Sequence, residues 1–80
     1  MQIEDKTLVE ILQETLGKEG YDLTGVTGKD DLSSYGLNSV LAVGIVVKLE
    51  NKFGIVIEDD DLMMENYSTI ENIRNLLLKY

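Results

Sequence analysis

Apolar side chains recur at helical spacing near the start of the chain. Residues 4–16 place them three and four positions apart, and residues at these separations share one face of a helix. The stripe consists of Leu8, Ile11, Leu12 and Leu16. The spacing predicts an amphipathic first helix, and Gly17 is predicted to end it.

A second helix is predicted over residues 39–53. Its predicted stripe consists of Val43, Val46, Val47, Glu50 and Phe53, with Leu49 beside it. Valines and Gly44 have low helix propensity, but the length of the segment and its charged end favour a helix over a strand. Gly54 fits the position just after the helix. We expect the valine stripe to face the core.

A third main helix is predicted over residues 69–79, where Ile70, Ile73 and Leu77 line one face. The stretch Ser68-Thr-Ile-Glu71 matches a capping box, with Ser68 as the N-cap and Glu71 reaching back. Between the second and third main helices, residues 59–64 are predicted to form a short helical turn.

Residues 17–38 show neither a helical nor a strand period, and five glycines interrupt them. Long loops inside compact domains are usually packed or functional, so we expect the apolar residues of this loop to pin it against the helices. The sequence therefore predicts one domain over residues 1–80. Its fold class is all-α, a small four-helix bundle with three main helices and one short one.

Composition narrows the function. The chain has no cysteine and no histidine, so it lacks the commonest general base and the commonest metal ligand. We expect no catalytic residue, no metal site and no enzyme activity. The acids of residues 58–67 lack the spacing of a calcium-binding loop, and we expect them to form a solvated turn.

Charge and hydropathy also restrict the partners. A net charge of −8 disfavours binding to nucleic acid or to an anionic membrane surface. The start of the chain has acids in place of a basic signal-peptide segment, and its longest apolar run, residues 40–47, is far short of the ~20 residues that span a bilayer. We expect a cytoplasmic monomer without membrane insertion.

The candidate for chemistry is Ser39, in Gly36-Leu37-Asn38-Ser39-Val40 at the junction of the loop and the second helix. Free backbone N–H groups and the helix dipole favour a phosphodiester at such a position. Asn and Ser are also favoured N-cap residues, so capping explains this short stretch without any chemistry. The other serines are Ser33 and Ser34 in the loop and Ser68 at the third main helix.

The wider context resembles the acyl and peptidyl carrier protein family. Leu37-Asn38-Ser39-Val40 occupies the place of the family's modification motif. The stretches Ala42-Val43 and Leu49-Glu50-x-x-Phe53-Gly54-Ile55 follow at the family's spacing, and Asp61-Leu62 and Tyr67-Ser68-Thr69-Ile70 resemble its later segments. The resemblance covers nearly the whole chain.

This resemblance implies a four-helix fold and a serine, Ser39, that a phosphopantetheinyl transferase modifies with coenzyme A. The arm would hold acyl or aminoacyl groups as thioesters. The implied partners are the transferase, an acyl- or aminoacyl-loading enzyme and a downstream synthase or transferase. The residues expected to meet these partners are Leu37, Asn38, Val40, Leu41, Val43, Gly44, Val47 and Ile57.

The chain departs from the family pattern in two respects. Asn38 and Val40 stand where the family usually has an acid, which commonly helps the transferase and its metal ion, and a leucine. Residues 41–57 carry two basic residues and one acid, whereas carriers of fatty-acid synthesis have a strongly acidic second helix. The chain thus looks more like discrete carriers of polyketide or nonribosomal-peptide pathways. An unmodified carrier-like docking module is the alternative.

Overall fold

The computed structural model describes residues 2–80, and within them the chain forms three α-helices and no β-strand. Helix α1 spans Asp5–Leu16, α2 spans Ser39–Phe53 and α3 spans Ile70–Leu77. Short 3₁₀ turns connect them; these are Gly17–Glu19, Leu32–Tyr35, Asp59–Asp61 and Met64–Tyr67. The all-α class is confirmed. The predicted short helical turn at 59–64 contains a 3₁₀ turn at Asp59–Asp61 and only the first residue of the next one, because the backbone leaves helical geometry at Leu62.

Helix α1 buries the four residues of its predicted stripe. The prediction that Gly17 ends the helix is confirmed, since α1 ends at Leu16 and Gly17 is its C-cap. Gly17 keeps right-handed geometry and continues into a 3₁₀ turn, and the left-handed residue is Gly20, with φ 92°. The Gly20 N–H donates to the Gly17 carbonyl oxygen over 3.0 Å, which closes this turn.

Helix α2 packs on the core through a different face from the one predicted. Ala42, Ile45 and Leu49 are buried, whereas Val43 is 65% and Val47 is 50% exposed. The prediction of a valine stripe in the core is therefore wrong for Val43 and Val47, whereas Val46 is half-buried and packs against the core. Residues 40–47 contain no polar side chain, so the pattern holds no polar position that marks the outer face. Gly54 ends the helix in left-handed geometry, with φ 64°, as predicted.

Helix α3 begins at Ile70, one residue later than predicted. Thr69 is the N-cap, and its Oγ1 accepts a hydrogen bond from the Asn72 N–H over 3.0 Å. An N-cap residue needs extended backbone. Thr69 has it, but Ser68 is in right-handed helical geometry, so the predicted capping box of Ser68 and Glu71 is wrong. The helix ends at Leu77, two residues short of the predicted end.

The long loop between α1 and α2 is pinned as predicted. Its three buried leucines are Leu23, Leu32 and Leu37. Two backbone hydrogen bonds tie the loop to the start of α3: Leu32 N–H donates to the Ser68 carbonyl over 2.8 Å, and Glu71 N–H donates to the Gly28 carbonyl over 2.9 Å. The loop thus packs as part of the core.

The orientation of α2 is tested by a matched pair of substitutions. Ile45→Ala removes a fully buried side chain, and we expect it to lower the free energy of unfolding by about 2–5 kcal/mol. Val43→Ala, two residues earlier on the exposed face, should change it by about 0.5 kcal/mol or less. Urea unfolding measures both, and equal losses would contradict this orientation.

Candidate attachment site

Ser39 is the first residue of α2, and its side chain is exposed. The capping role falls to Asn38, which has extended backbone and whose Oδ1 accepts the Leu41 N–H over 2.9 Å. Because Asn38 caps the helix, the Ser39 hydroxyl is not required for capping. Of the two residues that could cap this helix, Asn38 does so, and Ser39 remains exposed beside it.

Ser39 lines a small apolar groove between α2 and the segment 62–67. The groove has a volume of about 160 Å³, and a cavity of about 150 Å³ holds a benzene molecule. Its lining residues are Ser39, Ala42, Val43, Val46, Val47, Leu62, Met64 and Tyr67. The groove therefore matches the size of a short apolar group.

The structure separates the residues predicted to meet partners into exposed and buried sets. The exposed ones are Asn38, Val40, Val43, Gly44 and Val47, and Leu41 is half-buried. Leu37 and Ile57 are buried in the core, at 4% and 5% exposure, so their side chains do not form part of this surface.

Sequence reasoning missed the opposite wall of the groove. Leu62 is 48% and Met64 is 39% exposed, and both lie beside the outward valines of α2. The sequence does indicate this apolar wall, because three consecutive apolar residues, Leu62 to Met64, follow a run of four acids. Exposed apolar side chains grouped in this way are typical of interaction sites.

The end of α2 that carries Ser39 has no charge, since residues 36–47 contain no ionisable side chain. The charged residues of α2 lie toward its other end, where two of them make contacts within the fold. Lys48 pairs with Glu14 of α1 over 3.3 Å, and Glu50 Oε2 accepts the Ile57 N–H over 2.9 Å. The surface of α2 near Ser39 therefore presents apolar side chains and no charge.

Asp61 anchors the groove wall that Leu62 and Met64 form. Its side chain is only 13% exposed, and its Oδ1 accepts a hydrogen bond from Lys79 Nζ over 2.5 Å. Its Oδ2 accepts one from the Tyr80 hydroxyl, also over 2.5 Å. The prediction of a solvated acidic turn is therefore wrong for Asp61, because tertiary packing brings the end of the chain's last helical segment over it.

The ionisation of this cluster follows from the same contacts. The hydrogen bonds from Lys79 and then Tyr80 lower the pKa of Asp61. Burial raises the pKa of Tyr67 to about 12, so its hydroxyl stays protonated and donates to the Asp61 carbonyl oxygen over 3.2 Å. Asp61 therefore connects Tyr67, which lines the groove, to Lys79 and Tyr80, which follow α3.

The part of the chain that the structure describes contains neither a cluster of metal ligands nor a membrane-spanning helix. Residues 2–80 hold no group of three or more acidic side chains placed to bind a metal ion. No helix among them combines the length and apolarity needed to cross a membrane.

A three-helix all-α fold, with an exposed serine at the start of its second helix and an apolar groove beside it, defines a small carrier-type domain. The sequence model of the family described as phosphopantetheine attachment site matches residues 6–77, nearly the whole chain. The chain belongs to this family, which includes the acyl and peptidyl carrier proteins and binds 4′-phosphopantetheine covalently. No curated protein and no solved structure matches it significantly.

The role of Asp61 is testable through the pH dependence of stability. A pKa lowered from its ordinary 3.8 means that the stabilisation is present above that pH and is lost as the pH falls through the folded value. We therefore expect Asp61→Asn to be less stable than the wild type at neutral pH, and the difference to shrink in acid below about pH 4.

Urea unfolding across this pH range measures the difference. Asp59→Asn, at an exposed position in the same 3₁₀ turn, is the control and should show a small, pH-independent effect. A difference for Asp61→Asn that stays constant into strong acid would argue against the ion pair.

Proposed function

We propose that Ser39 is the residue that carries the phosphopantetheine arm. The observation that carries this proposal is that Ser39 is exposed at the start of α2 and lines the apolar groove, while Asn38 does the capping. The other serines fit less well. Ser33 and Ser34 lie in a 3₁₀ turn away from the groove lining, and the Ser68 hydroxyl donates to the Glu65 carbonyl over 2.8 Å.

The residues around Ser39 suit a negatively charged phosphodiester. The N–H groups of the first turn of α2 and the helix dipole favour negative charge at this end of the helix. Since residues 36–47 carry no ionisable side chain, no nearby carboxylate in this segment repels it. When attached, the arm supplies a thiol that holds acyl or aminoacyl groups as thioesters.

The function that follows is that of an acyl or aminoacyl carrier protein, which delivers thioester intermediates to biosynthetic enzymes. The tethered cargo is kept at a high effective concentration near each bound partner. The proposed partners are a phosphopantetheinyl transferase, a loading enzyme and a downstream synthase or transferase. The protein itself would contribute no catalytic group and would act as a cytoplasmic monomer.

The exposed side chains beside Ser39 are the proposed partner surface. It consists of Asn38, Val40, Val43, Gly44 and Val47 on the α2 side and of Leu62 and Met64 across the groove. This surface is uncharged and, apart from Asn38, apolar, in contrast to the acidic second helix of fatty-acid carriers. We therefore favour a carrier of polyketide or nonribosomal-peptide synthesis, whose partners bind chiefly through packing.

A second candidate function is a docking module that has lost modification. It is favoured by Asn38, which stands where the family usually has an acid, and by the exposed apolar surface. Stable binding to a partner that Ser39→Ala leaves undiminished would support this function. A native protein fully phosphopantetheinylated on Ser39 would exclude it.

The attachment site is tested by intact mass. The purified protein is incubated with coenzyme A and a broad-specificity phosphopantetheinyl transferase, and we expect a gain of one phosphopantetheine. Ser39→Ala should abolish the gain because it removes the hydroxyl oxygen that forms the phosphodiester. Ser33→Ala and Ser34→Ala are matched controls and should leave the gain intact. A gain that persists in Ser39→Ala would refute the assignment.

The residue before the serine is tested by Asn38→Asp. Aspartate and asparagine are nearly equal N-caps, so we expect the free energy of unfolding to change by only a few tenths of a kcal/mol, roughly. Restoring the family's usual acid should increase the rate of modification by the transferase. A continuous assay of coenzyme A consumption measures this rate. An unchanged rate would show that the departure at this position is neutral.

A further inference from the structure

A tyrosine in the long loop lies directly against the backbone that leads into Ser39. A Cβ atom placed on Gly36 would lie 2.2 Å from Cε2 and 2.6 Å from Cδ2 of Tyr21, so the ring contacts the open side of this glycine. Tyr21 remains 41% exposed. Its ring therefore covers the Gly36 backbone rather than filling the core.

Gly36 is the point where the loop turns into α2. It has left-handed geometry, with φ 86°, and its N–H donates to the Ser33 carbonyl over 3.1 Å. The next residue, Leu37, enters the core, and Asn38 then caps the helix. Glycine is the most permissive backbone residue, so contacts from elsewhere must hold this turn in one conformation.

Tyr21 is itself fixed by the end of α1. Its N–H donates to the Leu16 carbonyl over 3.2 Å, and its carbonyl accepts from Gln13 Nε2 over 2.9 Å. Gln13 Oε1 in turn accepts the Leu23 N–H over 2.9 Å. Gly17 leaves room for this amide, since a Cβ there would lie 2.6 Å from Gln13 Nε2. These contacts connect α1 to the turn that precedes Ser39.

We propose that Tyr21 is a positioning residue for the modification of Ser39, which holds the segment from Gly36 to Ser39 in the conformation that the phosphopantetheinyl transferase binds. The proposal rests on the proposed function, in which Ser39 is the attachment residue. Tyr21 acts through its ring contact with Gly36 and takes no part in the chemistry.

The test is the steady-state kinetics of modification with coenzyme A and a broad-specificity transferase. Tyr21→Ala should raise the KM for the carrier about fivefold and leave kcat nearly unchanged, because only a fraction of the free protein then has the competent conformation. Tyr21→Phe keeps the ring and should restore the wild-type KM.

Phe53→Ala is the matched control for a loss of stability alone. Phe53 is a half-buried aromatic residue that packs against the core at the opposite end of α2. Its replacement should lower the free energy of unfolding without changing the KM of the folded carrier.

Amide exchange in the free protein separates positioning from direct contact with the transferase. The Leu37 N–H donates to the Leu32 carbonyl over 3.1 Å, and the Leu41 N–H donates to Asn38 Oδ1 over 2.9 Å. Tyr21→Ala should accelerate the exchange of these two amides more than it accelerates exchange in α3.

Three results would overturn the proposal. An unchanged KM in Tyr21→Ala removes its kinetic basis, and an equal rise in Phe53→Ala assigns the effect to general destabilisation. A raised KM with unchanged exchange at Leu37 and Leu41 assigns Tyr21 to direct transferase contact. A wild-type protein that is not modified on Ser39 contradicts the proposed function instead, and the exchange measurement then still decides whether Tyr21 orders the segment.

Discussion

The fold depends on the anchoring of the long loop to the start of α3. Leu32 is fully buried, and its N–H donates to the Ser68 carbonyl over 2.8 Å. Three buried leucines and two backbone hydrogen bonds to the start of α3 hold this long segment against the helices. This anchoring fixes where Leu37 enters the core, and so where α2 and Ser39 begin.

Helix α2 then has two apolar faces with different tasks. The inward face, with Ala42, Ile45 and Leu49, builds the core, while the outward valines remain in water beside Ser39. Apolar side chains left exposed as a group are unfavourable for an isolated protein, and such groups are usually retained for interactions. Core residues and the proposed partner-binding residues therefore lie on opposite faces of the same helix.

The groove beside Ser39 has walls from distant parts of the sequence. One wall is α2, and the other is the segment that begins at Leu62 and is held to the end of α3 through Asp61. The burial of Asp61 is tolerated because Lys79 and Tyr80 both donate to its carboxylate. The wall that begins at Leu62 is therefore anchored by Asp61, Lys79 and Tyr80, which lie outside the groove lining.

The sequence by itself determined the all-α class, the inward face of α1, the end of α2 at Gly54 and the prominence of Ser39, because each follows from local spacing or from a short motif. Tertiary structure decided the rest. Uniformly apolar residues 40–47 give no local reason for one face to turn inward, so the packing of α1 and the loop selected it. Ser68 and Thr69 are both good caps, so only long-range contacts could decide which of them caps α3. The burial of Asp61 likewise depends on Lys79 and Tyr80, which lie almost 20 positions away.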